Sequence, residues 1–115
     1  MDEVLVERVL RAAECVPPGC VANYGLIAAL VGTGPRQVGA VMSAWGGNVP
    51  WWRVTNAQGT LPGQLLHEAR ERWLQEGTPI RTDGQGCAIR RALVDPESFA
   101  DDVRLATADL PPSEE

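Results

Sequence analysis

"NYGLIAALVGTGPRQVGAVMSAW", residues 23–45, decides how this chain is read. Asn23 offers a side-chain oxygen to the unsatisfied N–H groups at a helix start, and "YGLIAALVG" follows with Leu26, Ile27, Leu30 and Val31 at helical spacing toward a core. Gly32 to Gly34 supply a turn, and Pro35 suits the first turn of a second helix, where its missing N–H is not needed. Two short helices joined by a glycine-bearing turn of this length form a helix-turn-helix pattern. In "PRQVGAVMSAW", Val38, Val41, Met42 and Trp45 make one apolar stripe. The opposite side carries Arg36, Gly39, Ala40 and Ser43, a long cation at the helix's positive end followed by almost no side chain. A mid-helix glycine costs roughly 1 kcal/mol against alanine, so this smooth face suggests a close approach to the backbone, either by another helix or by DNA.

Upstream, a helix is expected from about Glu3 to Cys15, capped by Asp2, with Val6, Val9, Leu10 and Ala13 on one face and "VPPGC" ending it. Downstream, "NVPWWRVTNAQG", residues 48–59, places two tryptophans after a proline in a turn-rich segment. Such a pair is either a plug for the core or one wall of a pocket. A further helix is expected from about Pro62 to Glu76, with Leu65, Leu66, Ala69 and Trp73 as its apolar stripe, a Glu68–Arg72 pair and Gly77 as its stop. Trp45 and Trp73 read as core, and His67 as a surface residue. "TPIRTDGQGCAIRRALV" predicts a small hairpin turning at Asp83-Gly84. The fold expected is therefore mainly α with a short β hairpin. Residues 1–94 form a winged helix-turn-helix domain, and residues 95–115 an acidic, partly disordered tail.

The chain has 115 residues, enough for one core, and no apolar run approaches the ~20 residues of a membrane span. The start "MDEVLVERVL" lacks signal-peptide character, so a cytoplasmic, monomeric protein without a membrane partner is expected. Cys15, Cys20 and Cys87 have no metal-type spacing, and no metal or cofactor is implied. The net charge of −5 argues against a nucleic-acid partner until its distribution is considered. From Asp95 onward seven acids face Arg104 alone, leaving the rest of the chain at +1. Between Glu14 and Glu68 no acid occurs, whereas Arg36 and Arg53 do, as a phosphate-facing surface requires.

"VPPGCVANYGLIAALVG", "PRQVGAVM" and "NVPWWRV" resemble, in order and spacing, the C-terminal DNA-binding domain of the O6-alkylguanine-DNA alkyltransferases, over roughly residues 4–80. Those enzymes carry a Pro-Cys-His-Arg motif whose cysteine accepts the alkyl group. This chain has Pro50-Trp51-Trp52-Arg53 there. Tryptophan in place of the cysteine marks the alkyltransferase-like proteins, so the resemblance implies a non-enzymatic sensor that binds O6-alkylguanine in double-stranded DNA and flags it for nucleotide excision repair proteins. It implies a DNA-binding set of Tyr24, Arg36, Gln37, Gly39, Ala40 and Ser43. In it Arg36 is the finger that fills the gap left by a flipped nucleotide, and Tyr24 helps rotate the target's phosphate. The implied lesion pocket comprises Tyr24, Pro50, Trp51, Arg53 and Val54, with Asn48 as hinge and Gln64 near the entrance, where many relatives have a basic residue. Glu76 matches the glutamate behind the enzymes' histidine, whose place Trp52 takes.

A thiol of ordinary pKa needs a neighbouring base or cation to become a nucleophile, and an indole cannot act as one. Trp51 can instead wall a pocket or fill core, Trp52 reads as core filler, and Arg53 either touches phosphate or pairs with Glu76. Two other functions remain open on the residues: a winged-helix regulator without lesion specificity, and an alkyltransferase with a relocated nucleophile, Cys20.

Overall fold

Asp2 accepts a hydrogen bond from the Val4 N–H at 3.0 Å and starts α1 (Glu3–Glu14). The computed structural model describes residues 2–112. The buried face of α1 is Leu5, Val9, Ala12 and Ala13, one step round from the expected stripe, with Val6 and Leu10 at its margins. Asn23 accepts from the Leu26 N–H at 2.8 Å and caps α2 (Tyr24–Val31). Gly34 precedes α3 (Pro35–Trp45), with Pro35 in its first turn. These three helices pack mutually around Val9, Ile27, Val31, Val38 and Val41.

Trp45 leaves this core. It is 50% exposed, which corrects its assignment as buried: Val38 and Val41 fill the contact, and α3 overruns the core by its last residue. Trp73, by contrast, is fully buried in a second cluster with Val21, Ala69, Cys87 and Ala92, flanked by Trp51 and Trp52.

β1 (Ala22–Asn23) pairs in parallel with β2 (Val54–Thr55), Ala22 opposite Val54 and Asn23 opposite Thr55. This ladder fixes the start of α2 beside the segment that follows Trp51–Arg53. The chain near residue 93 pairs along the other edge of the Val21–Asn23 segment: the Val21 N–H donates to Ala92 O and the Val94 N–H to Val21 O, both at 2.8 Å. A single 3₁₀ turn, Gly63–Leu65, leads into α4 (Leu66–Glu76), which ends at Gly77 with φ +75°. Glu68 and Arg72 pair as expected, at 3.5 Å.

The hairpin expected at Asp83-Gly84 shrinks to one antiparallel bridge, Ile80–Cys87, and the chain then enters α5 (Ile89–Ala92). Competing partners account for this correction. The next rung would join Thr78 to Ile89, but the Thr78 N–H donates to Trp73 O at the end of α4 and Ile89 O accepts from the Leu93 N–H in α5, both at 2.9 Å. Packing beside Cys87 is close. A Cβ on Gly59, whose φ is +79°, would stand 2.6 Å from Cys87 O, and one on Gly86 would stand 2.6 Å from Gly59 O.

The partly disordered tail expected over residues 95–115 is also corrected. Asp95 accepts from the Ser98 N–H at 3.0 Å and caps α6 (Pro96–Ala106), whose Phe99 and Val103 are buried in the main core beside α1 and α2. Arg11 reaches Ala106 O at 2.9 Å and Asp109 at 2.6 Å, and Arg8 reaches Pro111 O at 2.7 Å. Net charge hid a short amphipathic helix whose acids lie on its solvent side; residues 113–115 lie outside the described residues.

Candidate nucleic-acid interface and cavity

A cavity of about 280 Å³ opens beside the small-residue side of α3. Tyr24 from α2 and Gly39, Met42 and Ser43 from α3 form one wall, continued by Gly46 and Gly47. Trp51 and Val54 form a second, and Leu61, Pro62, Gln64 and Leu65 close the far side. The Tyr24 ring lies over Gly39, where a Cβ would meet Cε2 at 3.7 Å, an ordinary contact. Glycine is therefore not forced here by a clash; its missing side chain leaves room in the cavity. Burial raises the Tyr24 hydroxyl above its ordinary pKa, so it stays protonated and able to donate.

Trp51 and Trp52 point in different directions. Their rings meet edge to face, 5.6 Å between centroids at 85°, and only Trp51 lines the cavity. Trp52 turns toward the back, where the Arg72 guanidinium lies 4.5 Å from its ring centroid and that of Arg53 5.6 Å. The Trp73 Nε1–H donates to Trp52 O at 2.7 Å. Trp52 Nε1 is buried without a hydrogen bond of normal geometry, yet it lies close enough to Glu76 to help stabilise that carboxylate.

Arg53 resolves to a structural pair. Its Nε and NH2 donate to Glu76 Oε1 and Oε2 at 3.0 and 2.5 Å, and its NH1 donates to Val16 O at 3.0 Å. Both side chains are largely buried, at 15% and 14% exposure. Burial alone would raise the Glu76 pKa; hydrogen bonds from Arg53, Trp52 and the Gly19 backbone, with the Arg53 charge, outweigh it and hold the carboxyl below its ordinary value. The clamp fixes the Trp51–Arg53 turn against α4 and the end of α1, and so sets the Trp51 wall.

Of the five residues expected in the pocket, Tyr24, Trp51 and Val54 line the cavity; Arg53 is behind it, and Pro50 caps the Trp51–Arg53 turn without lining it. Gly39 and Ser43, expected only as a docking face, also line it. Arg36, Gln37 and Ala40 are exposed on α3, and Arg36 makes no ion pair among the described residues. Asn48 is exposed in the 3₁₀ turn Gly46–Asn48. Sequence reasoning missed Met42, Gly46, Gly47, Leu61, Pro62 and Leu65. Met42 and Leu65 were assigned to the apolar stripes of their helices and Pro62 to a helix start, whereas Gly46, Gly47 and Leu61 sit in turns without a periodic signal.

None of the three cysteines lines the cavity. Burial pushes the Cys87 thiol up to about 11 and raises that of Cys15, in both cases away from the thiolate. Cys20 packs against the main core. No group of three His, Cys, Asp or Glu side chains that could hold a metal ion occurs among the described residues, and no helix there is long and apolar enough to cross a membrane.

Residues 5–78 match the model of the 6-O-methylguanine DNA methyltransferase DNA-binding domain. The chain belongs to this family, as an alkyltransferase-like protein. It is similar to the DNA base-flipping protein of Escherichia coli K12, with 38% identity over 90 residues, 73% of this chain and 70% of the relative. The DNA base-flipping protein of Vibrio parahaemolyticus is 32% identical over 97 residues, covering 79% of this chain and 95% of the relative. Among solved structures, S. pombe Atl1 in complex with damaged DNA containing O6-carboxymethylguanine superposes with a TM-score of 0.68 at 29% identity, covering 80% of this chain and 95% of Atl1. The mainly helical architecture with a small two-stranded sheet is thus that of an alkyltransferase-like helix-turn-helix domain.

Proposed function

We propose that this alkyltransferase-like protein is a non-enzymatic sensor of O6-alkylguanine in duplex DNA. In this reading α3 docks in the minor groove through Gly39, Ala40 and Ser43, and Arg36 enters the stack. The damaged nucleotide rotates into the cavity against Trp51, and the bent complex is passed to nucleotide excision repair. The observation that carries the reading is the cavity itself: it opens directly beside the smooth face of α3, and one wall is an indole rather than a nucleophile. Stacking on an aromatic ring contributes roughly 1–3 kcal/mol per base, which offsets an unstacking cost of similar size that is smaller for a damaged pair. The charge pattern agrees, because the span from α2 to the cavity's far side, residues 24–65, holds no acid, and its exposed cation is Arg36.

Binding of one duplex with and without a single O6-methylguanine, followed by tryptophan emission and checked by intact mass, tests this. Tighter binding to the modified duplex with no mass gain is expected. A 14 Da methyl increment on the protein would make it an alkyltransferase, and equal binding to both duplexes would leave a regulator without lesion specificity.

A further inference from the structure

The cavity beside α3 contains no charged side chain: the polar side-chain groups of its lining residues are the Tyr24 and Ser43 hydroxyls, the Gln64 amide and the Trp51 indole N–H, and Met42 and Leu61 are apolar. Arg53, the cation nearest in sequence to the Trp51 wall, is committed to Glu76 and Val16 on the opposite side of the Trp51–Arg53 turn. Arg72 is held over the Trp52 ring and beside Glu68. We propose that the cavity discriminates by charge, accepting guanines with neutral O6 substituents and disfavouring those with anionic ones, an inference that rests on the lesion-sensor reading above.

An anionic substituent entering this space leaves water without gaining a cation. Hydrogen bonds from these neutral donors replace only part of the lost hydration, and a carboxylate left short of partners costs more than a neutral group of the same shape. One feature opposes this. α4 begins at Leu66 without a side-chain cap, and its N-terminal N–H groups lie next to Gln64 and Leu65. A helix terminus favours a nearby anion by less than about five-fold at an exposed site. Glu68, in the first turn of α4, weakens that attraction further. The desolvation effect is the larger, about ten-fold or more against the anion.

Two substituents of equal size isolate charge from shape. Kd would be measured at one salt concentration for four duplexes: unmodified, O6-methylguanine, O6-carbamoylmethylguanine and O6-carboxymethylguanine. The carbamoylmethyl duplex should bind about ten-fold more tightly than its carboxymethyl counterpart. Gln64 is exposed at the cavity's edge, so Gln64→Arg adds a cation there without burying it, and should reduce that ratio to near unity. Equal affinity for the carbamoylmethyl and carboxymethyl duplexes, both above unmodified DNA, would overturn charge discrimination and leave the sensor reading intact. No gain over unmodified DNA for any lesion would overturn both. A ratio that Gln64→Arg leaves unchanged would refute the assignment of the discrimination to this cavity.

Discussion

Trp51 and Trp52 are adjacent in sequence, of one residue type and perpendicular, yet they belong to different parts of the molecule. Trp51 faces an open cavity whose lining residues carry no charge. Trp52 faces a clamp in which Arg53, Glu76, Arg72 and the Trp73 indole meet. The two regions share the Trp51–Arg53 turn, so the rigidity of the second determines the shape of the first. The cavity wall is thus separated from structural support by one peptide unit, and on the proposed function substitutions on either side should sort into effects on affinity and effects on stability.

The largest effect is expected at the clamp. Arg53→Ala leaves Glu76 a largely buried carboxylate without its cation and should destabilise the fold by about 3 kcal/mol, measured by urea denaturation. The same pair sets a pH dependence. The folded-state pKa of Glu76 is depressed, so its contribution is fully present above the ordinary value of 4.5 and is lost as pH falls through the lower folded value. Glu76→Gln should flatten the part of the acid stability curve that lies between 4.5 and that lower folded value.

Gly59→Ala comes next. It forces a side chain into a positive-φ position and against Cys87 O, and should cost roughly 2 kcal/mol or more, seen as a lowered Tm. The lesion affinity per folded molecule should be unchanged. Trp51→Ala should then weaken lesion binding by about 1–3 kcal/mol, while Trp52→Ala chiefly lowers stability. An equal stability loss in both variants would abolish the distinction between the two faces. The smallest effect belongs to Gly39→Ala. The new methyl fits beside Tyr24 at an ordinary contact distance, so stability should rise by up to about 1 kcal/mol while the cavity narrows and lesion affinity falls. A variant more stable and equally able to bind would show that Gly39 does not set the cavity's width.

The helices that build the docking face were legible because their signals are local. Asn23, Pro35 and the Val38–Val41 spacing act within one or two turns, and the structure places α2 and α3 where those signals put them. The clamp was legible only as alternatives: nothing in sequence decides whether Arg53 meets Glu76, 23 residues away, or a phosphate. The hairpin and the tail were misread for opposite reasons. At Asp83-Gly84 the turn signal was real, but the ends of α4 and α5 took the Thr78 and Ile89 backbone groups that the next rung would have used. In α6 an i, i+4 pair of buried residues, Phe99 and Val103, outweighed a charge pattern typical of disorder. On the far side of the cavity, Leu65 read as part of a helix stripe and Leu61 carried no signal, and only the folded chain brings both opposite α3.

The central claim is that a damaged nucleotide leaves the duplex and enters the cavity beside α3. Its most direct test is a duplex carrying O6-methylguanine opposite a fluorescent cytosine analogue whose emission rises when its partner leaves the stack. The native chain should raise that emission on binding, an undamaged duplex should give little change, and Arg36→Ala should reduce the rise. Saturated binding to the damaged duplex with no change in emission would contradict the account.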